Sequence, residues 1–100
     1  MIYRRKTYQI DPSKAEAFNE FFNTYLLPNQ LKHGSKLVGR WITEDKTEIT
    51  AIWEYESYEA YLEIEEAVRN DPMAETAREV REPLLPLYIS AKQDFLASTV

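Results

Sequence analysis

Four stretches of the chain alternate branched or aromatic side chains with polar ones, which is the pattern of β-strands. They cover residues 2–10, 35–43, 47–55 and 87–95. Only a short polar link, residues 44–46, separates the second stretch from the third. These two strands are therefore expected to form an antiparallel hairpin.

The predicted hairpin has apolar side chains on both of its faces. Regular alternation groups them, on one face of each strand, as Leu37, Gly39 and Trp41, and as Ile49, Ala51, Trp53 and Tyr55. Val38, Ile42 and Ile52 then fall on the opposite face. This pattern indicates central strands that are covered on both sides. Because one layer of helices covers a single face, we expect a homodimer in which two sheets pack face to face.

Two segments carry apolar residues at the 3.6-residue period of amphipathic helices. The first is expected to begin at residues 11–13, with a proline at the first helical position and with Ser13 and Glu16 forming a capping box. Pro28 disfavours helical geometry at the residue before it, so a kink or break is expected there. Gly34 is the expected left-handed cap at the end of this segment.

The second helical segment is expected to begin after Ser57, to stop near Asn70, and to restart at residues 71–72 as a short helix ending at about Glu82. The order of elements is therefore β-α-β-β-α-β, with an extra helical segment before the last strand. This order predicts a ferredoxin-like α+β fold, with a four-stranded antiparallel sheet and helices on one face. A chain of 100 residues has the length of one domain, so residues 1–100 are expected to form a single domain.

Composition and charge exclude several classes of function. The chain has no cysteine and one histidine, which excludes thiolate chemistry and two-histidine metal sites, and no metal or other cofactor is expected. A net charge of −5 opposes binding to the phosphates of nucleic acids. Residues 1–40, however, carry seven Lys or Arg against three Asp or Glu, which leaves room for a local anionic ligand.

Segments that direct a chain to a membrane or out of the cell are not recognisable. No apolar run approaches the ~18 residues of a membrane span. Residues 1–10 lack the apolar stretch of a secretory signal. We therefore expect no membrane association and a cytoplasmic location.

A series of short motifs runs along the chain in a fixed order. The motifs are Tyr3, Lys6-Thr7-Tyr8, His33-Gly34, Lys36-Leu37-Val38-Gly39 with Trp41, Trp53-x-Tyr55, Asn70-Asp71-Pro72 and Pro83-Leu84-Leu85. From Met1 to about Phe95 the sequence resembles a bacterial single-domain member of the NIPSNAP family. The resemblance implies the dimeric α+β barrel, a fold shared with cofactor-free monooxygenases. The family has no established common reaction, so the resemblance leaves catalysis open.

Seven residues are candidates for a ligand site. They are Tyr8, Tyr25, His33, Arg40, Trp41, Trp53 and Tyr55. Each tryptophan follows a small residue, in Gly39-x-Trp41 and Ala51-x-Trp53. A small residue beside an indole can leave space for a small aromatic molecule. The alternative is that both indoles serve core or dimer-interface packing.

The charged candidates also have two interpretations each. His33 is the single side chain that ordinarily changes charge near neutral pH, so it suits a general base or a ligand-binding group, or else a helix end where it bonds the last carbonyls. Arg40 suits the capture of an anion, or an ion pair with Glu54 if the two share a face. The basic run at residues 4–6 is expected to be a solvated edge.

The function expected from these observations is that of a homodimer that binds a small ligand without established catalysis. The alternative is a cofactor-free monooxygenase-like or isomerase-like enzyme acting on a small aromatic molecule. No Ser-His-acid set and no phosphate-binding loop is recognisable, so no catalytic residue is assigned and enzymatic activity stays open. An RNA-binding module has the same strand order, but the acidic charge and the missing Gly-aromatic pattern in residues 47–55 oppose it.

Overall fold

The computed structural model describes residues 1–100. Its strands are β1 (Ile2–Gln9), β2 (Lys36–Ile42), β3 (Glu48–Tyr55) and β4 (Ser90–Leu96). They form one antiparallel sheet in the order β2-β3-β1-β4, which confirms the predicted ferredoxin-like α+β fold. The central position expected for both hairpin strands is wrong for β2. Because β1 pairs with both β3 and β4, it takes the central place beside β3 and leaves β2 at an edge.

One layer of helices covers the sheet. The helical elements are a 3₁₀ turn (Pro12–Lys14), α1 (Ala15–Phe21), a π-helical segment (Phe22–Leu26), α2 (Leu27–Lys32), α3 (Tyr58–Asn70), α4 (Pro72–Arg81) and a 3₁₀ turn (Glu82–Leu84). Along β3, partly exposed residues alternate with buried ones over the whole strand. The covered face of the sheet is the one that carries the buried side chains Ile49, Ala51, Trp53 and Tyr55. The open face carries the others, among them Ile52 and Glu54, and the molecule is only 17 Å thick.

The helix ends are capped by the residue types expected there, but at the first helical segment Asp11 takes the capping role predicted for Ser13. Asp11 Oδ1 accepts hydrogen bonds from the backbone N–H of Ser13 at 2.9 Å and from its hydroxyl at 2.8 Å. The predicted capping box of Ser13 with Glu16 is therefore wrong, because Asp11 already caps the turn that the following proline begins. The Ser57 cap is confirmed by a 3.0 Å bond from the N–H three residues later. The Gly34 cap is confirmed by its φ of 100°.

The first helical path continues through Pro28, where the sequence predicts a kink or break. In the π-helical segment the Leu27 N–H bonds to the Phe22 carbonyl, five residues back instead of four. Pro28 then lies in the first turn of α2, where a missing N–H costs no helical bond. The irregularity therefore takes the form of a wider turn just before the proline, and the helix does not end there.

A β-bulge in β2 decides which of its side chains face the helices. Leu37 lies on the covered face, and the next paired residue of β2 is Gly39, on the open face. Val38 between them is an extra residue. Because side chains alternate along a strand, the extra residue moves Arg40 to the covered face and Trp41 to the open face. The predicted grouping of Leu37 with Gly39 and Trp41 is therefore wrong.

Candidate functional site

A cavity of about 290 Å³ lies between the covered face and the helices. Ten of its 18 lining residues are hydrophobic. Ala51 belongs to its sheet side, and Phe22, Tyr25 and Leu26 come from the π-helical segment. Small-molecule sites commonly have volumes of about 300–1,000 Å³, so this cavity is at the small end of that range. π-Helical turns are frequent at functional sites, which agrees with the position of this one.

The structure brings together part of the predicted set of site residues. The candidates that line the cavity are Tyr8, Tyr25, Arg40 and Trp53. Trp41 lies on the open face with 54% of its surface exposed, because the bulge turns it away from the helices. Tyr55 is buried beside Tyr61, with ring centroids 5.1 Å apart, and is not part of the lining. His33 also lies outside the lining.

Arg4 is the most deeply buried cation of the cavity lining. It is 5% exposed, and its guanidinium lies 5.0 Å from the ring centroid of Tyr61 and 6.0 Å from that of Trp53. Arg4 Nη1 is 3.5 Å from Glu65 Oε1, and Arg4 Nε has no hydrogen-bond partner within the protein. The solvated edge expected for residues 4–6 is therefore wrong at Arg4, because β1 is a central strand beneath the helices.

Two further cations flank the sheet side of the cavity. Lys6 of β1 and Arg40 of β2 are both register partners of Ala51 in β3. Adjacent strands are about 4.8 Å apart, so the backbones of the two cations are separated by roughly 10 Å. Lys6 Nζ lies 5.3 Å from the ring centroid of Tyr8. The small side chain of Ala51 therefore sits between an ammonium and a guanidinium.

Arg40 is held in place from the helical side. Its Nη1 donates to Asn19 Oδ1 at 2.6 Å, and its guanidinium centre lies 4.3 Å from the ring centroid of Phe22. Burial lowers the pKa of Arg40, and its Nη2 has no hydrogen-bond partner within the protein. The ion pair considered for Arg40 and Glu54 is wrong, because Glu54 lies on the open face, where Lys36 Nζ is 3.3 Å from its Oε1.

The lining as a whole is cationic. Arg78 and Arg81 of α4 are exposed and join the three cations of the sheet, whereas Glu65 is the single carboxylate. Asn29 also lines the cavity and is 4% exposed. Its Nδ2 donates to the Val68 carbonyl at 3.2 Å, and its Oδ1 has no partner within the protein. An acidic chain thus builds a cavity lined by five cations and one carboxylate, a balance that suits an anion.

Several of these lining residues are absent from the predicted set, among them Arg4, Lys6 and Asn29. Alternation along β1 already places Lys6 on one face with Arg4 and Tyr8, so that signal was available in the sequence. Asn29 follows the π-helical segment, and no feature of the sequence marks it as part of a cavity.

His33 joins the end of α2 to the start of α4. His33 Nε2 is 2.8 Å from Asp71 Oδ2, which also accepts from Lys32 Nζ at 2.7 Å. The Met73 N–H donates to Asp71 Oδ1 at 2.9 Å. These donors, the Lys32 ammonium foremost, hold the pKa of the Asp71 carboxyl well below its usual range. The contact holds the end of α2 against the start of α4. A ligand-binding role for His33 stays a prediction.

The chemistry of the cavity is that of binding and orientation. Its polar side chains are cations, amides, phenols and one carboxylate. No group of three His, Cys, Asp or Glu side chains lies close enough together to hold a metal ion. None of the helices combines the length and hydrophobicity needed to cross a bilayer.

Comparison with known proteins identifies a family and a fold. The NIPSNAP family model matches residues 3–90. No curated protein sequence matches the chain. Among solved structures, an uncharacterized NIPSNAP domain protein from Burkholderia xenovorans is 20% identical with a TM-score of 0.81, and the match covers 99% of this chain and 95% of that one.

Two other solved structures define how far the likeness extends. A NIPSNAP family protein with unknown function from Agrobacterium tumefaciens is 21% identical with a TM-score of 0.81, covering 96% of this chain and 86% of that one. A monooxygenase of Streptomyces coelicolor, in complex with the ligand nanaomycin D, is 19% identical with a TM-score of 0.72, covering 99% of this chain and 88% of that one. At these identities the likeness is one of fold.

Proposed function

The chain belongs to the NIPSNAP family, and from that premise we propose that it is a homodimer that binds a small aromatic molecule between its sheet and its helices. The observation that carries the proposal is the cavity of about 290 Å³, lined mostly by hydrophobic residues. The aromatic rings of Tyr8, Tyr25 and Trp53 supply flat surfaces against which another ring can pack. We place the protein in the cytoplasm, as the sequence predicts, and cell fractionation tests that location.

The open face supports the homodimer. Trp41 is 54% exposed there, and Ile52 of the central strand β3 lies only partly covered on the same face. Exposed apolar surface of this kind is typical of an interface, and a second copy of the same face would exclude water from both. Two cations on this face already have carboxylate partners, Arg5 with Asp94 at 3.1 Å and Lys36 with Glu54 at 3.3 Å, so burial of these pairs leaves none of their charges unpaired.

An enzymatic function is the second candidate. The observation that favours it is the Streptomyces coelicolor monooxygenase, which has the same fold and was solved with a bound ligand. In this chain the cations and phenols of the cavity would orient a substrate, and no side chain is assigned to a chemical step. Oxygen consumption after addition of a bound aromatic compound tests this candidate, and binding without turnover would leave the ligand-binding function in its place.

Native mass spectrometry of freshly purified protein is the first test. The expected species is a dimer, with twice the chain mass of 11.8 kDa, and any additional mass identifies a copurified ligand. A monomer at micromolar concentration contradicts the homodimer.

Two substitutions to lysine show whether the open face is the interface. Ile52→Lys places a charge at the centre of the open face and is expected to convert the dimer into a monomer. The matched control, Leu62→Lys, changes a 48% exposed residue of α3 and is expected to leave the dimer intact. If the two variants dissociate equally, the open face is not the interface.

Calorimetric titration with 2-naphthamide, a neutral two-ring aromatic amide, tests the cavity directly. Binding is expected, and it should be lost in Ala51→Leu, because the larger side chain fills the sheet side of the cavity. Circular dichroism of the variant shows whether the fold is retained. If 2-naphthamide and charged two-ring aromatics all fail to bind the parent protein, the proposed ligand site is wrong.

A further inference from the structure

The cavity is positive although the protein is negative. Five Lys or Arg side chains line it, against the single carboxylate of Glu65. That carboxylate is next to Arg4, and neither Lys6 nor Arg40 takes part in any of the ion pairs of the molecule. A cation without a partner in a partly closed, mostly apolar space is costly, because burial removes the water that would solvate it.

Lys6 and Arg40 are placed to act on one group of a ligand. They flank Ala51 on adjacent strands, and no larger side chain of β3 separates them at that position. Contacts with Asn19 and Phe22 fix the Arg40 guanidinium and leave its Nη2 without a partner. A guanidinium presents its donors in a planar fork that matches an oxyanion, and an ammonium adds a compact charge from the other side.

The size of the cavity limits the rest of the ligand. A cavity of about 150 Å³ lined by apolar side chains can hold benzene. The cavity here, about 290 Å³, is roughly twice as large. It is therefore large enough for two fused rings, which would pack against the aromatic side chains of Phe22, Tyr25 and Trp53.

We propose that the ligand is an aromatic oxyanion: a one-ring or two-ring aromatic body whose carboxylate or phosphate lies over Ala51, between Lys6 and Arg40. This inference rests on the proposed ligand-binding function and names the chemical class that the site selects. Arg78 and Arg81, exposed on α4, attract such an anion to the cavity.

The test compares two molecules of nearly the same shape, 2-naphthoate and its neutral amide 2-naphthamide. Calorimetric titration of the full chain at low salt is expected to show that 2-naphthoate binds about tenfold tighter or more, because charge-assisted hydrogen bonds are roughly twice as strong as neutral ones. A third titration, with 2-naphthyl phosphate, distinguishes the two oxyanions. Tighter binding than 2-naphthoate assigns the site to phosphates, and weaker binding assigns it to carboxylates.

Lys6→Met removes one charge and keeps most of the length of the side chain. Because Lys6 has no ion-pair partner, the substitution strands no carboxylate, and the variant is expected to fold. It should lose about tenfold in affinity for 2-naphthoate and little for 2-naphthamide. Arg40→Gln is the second variant and is expected to show the same selective loss. The matched control is Lys92→Met, which removes a charge from β4 on the open face, opposite Thr7.

Three outcomes overturn the inference. Equal affinity for 2-naphthoate and 2-naphthamide removes the oxyanion and leaves the proposed aromatic site in place. An equal loss of 2-naphthoate binding in Lys6→Met and Lys92→Met shows that the affinity depends on the total charge of the protein and not on the site between Lys6 and Arg40. If neither compound binds, the oxyanion and the proposed function fail together.

Discussion

The covered and open faces of the sheet each carry a tryptophan two residues after a small residue. In Ala51-x-Trp53 the indole is 3% exposed, and in Gly39-x-Trp41 it is 54% exposed. Trp53 lies beneath the helices, with its ring centroid 6.1 Å from that of Phe22. Trp41 instead lies over Gly39, where a β-carbon would overlap the indole. The same three-residue pattern thus builds core on one face and an exposed apolar surface on the other.

The charges differ between the two faces in the same way. On the open face, Arg5 pairs with Asp94 and Lys36 pairs with Glu54, so each of these cations has a carboxylate within 3.3 Å. On the covered face, cations lie beside aromatic rings, and two of their donors, Arg4 Nε and Arg40 Nη2, have no partner. The ion-paired cations of the open face therefore lack only a cover, whereas Lys6 and Arg40 on the covered face lack a counterion.

The largest effect expected from this comparison is on stability. Trp53→Ala should lower the free energy of unfolding by about 3–5 kcal/mol, because it opens a void in the core. Trp41→Ala should cost about 0.5 kcal/mol or less in the monomer, because the indole is exposed. Urea unfolding at two protein concentrations measures both, and only the Trp41 variant should change the concentration dependence that a dimer imposes. Equal losses at low concentration would mean that the two faces are covered alike.

Much of the fold could be predicted from the sequence because its signals are local. Caps such as Ser57 and Gly34 act within a few residues, and the strand pattern of each segment does not depend on its neighbours. The kind of sheet, four-stranded and antiparallel, follows from the order of the elements. What did not follow from the hairpin pattern is that β2 lies at an edge, since apolar residues on both faces mark an interface as well as a central strand.

The candidate site was harder to predict, because one residue changes the face of several others. The sequence of β2 is compatible both with regular alternation and with a bulge at Val38. Only the pairing of β2 with β3 decides which of the two forms. The bulge removes Trp41 from the cavity and brings Arg40 into it. The basic run at residues 4–6 predicts a solvated Lys6, whereas its place in the lining depends on β1 being paired on both sides.

The second prediction concerns the contact of Asp71 with Lys32 and His33, which joins the end of α2 to the start of α4. The lowered pKa of Asp71 means that the folded state favours its ionised form. Its contribution to stability is therefore fully present above about pH 4, the pKa range of an unfolded aspartate, and is lost as the pH falls below that range. Asp71→Asn keeps an acceptor for the Met73 N–H and removes the charge that binds Lys32 and His33.

Urea unfolding at several pH values measures this effect. The Asp71→Asn variant should be less stable than the parent at pH 7, and the difference should shrink as the pH falls below about 4. The control on the open face is Asp94→Asn, whose exposed pair with Arg5 should contribute no more than about 1 kcal/mol. A difference between the Asp71→Asn variant and the parent that does not change with pH would argue against the ionic contact.

Gly39→Ala is expected to have only a small effect on stability, and it is the sharpest probe of the open face. The new β-carbon would overlap the Trp41 indole, which must then swing off the sheet. The free energy of unfolding should change by less than about 1 kcal/mol, because the indole can rotate away and alanine loses less backbone entropy than glycine on folding. In a Trp53→Phe background Trp41 is the single tryptophan, so the fluorescence reports on this residue alone. Because the displaced indole is more exposed to water, its emission should move to longer wavelength. Val38→Ala, one residue away in the bulge, should leave the emission where it is. Unchanged emission in the Gly39→Ala variant would mean that the indole does not rest on Gly39 in solution, and the contrast with Trp53 would then have to be drawn from burial alone.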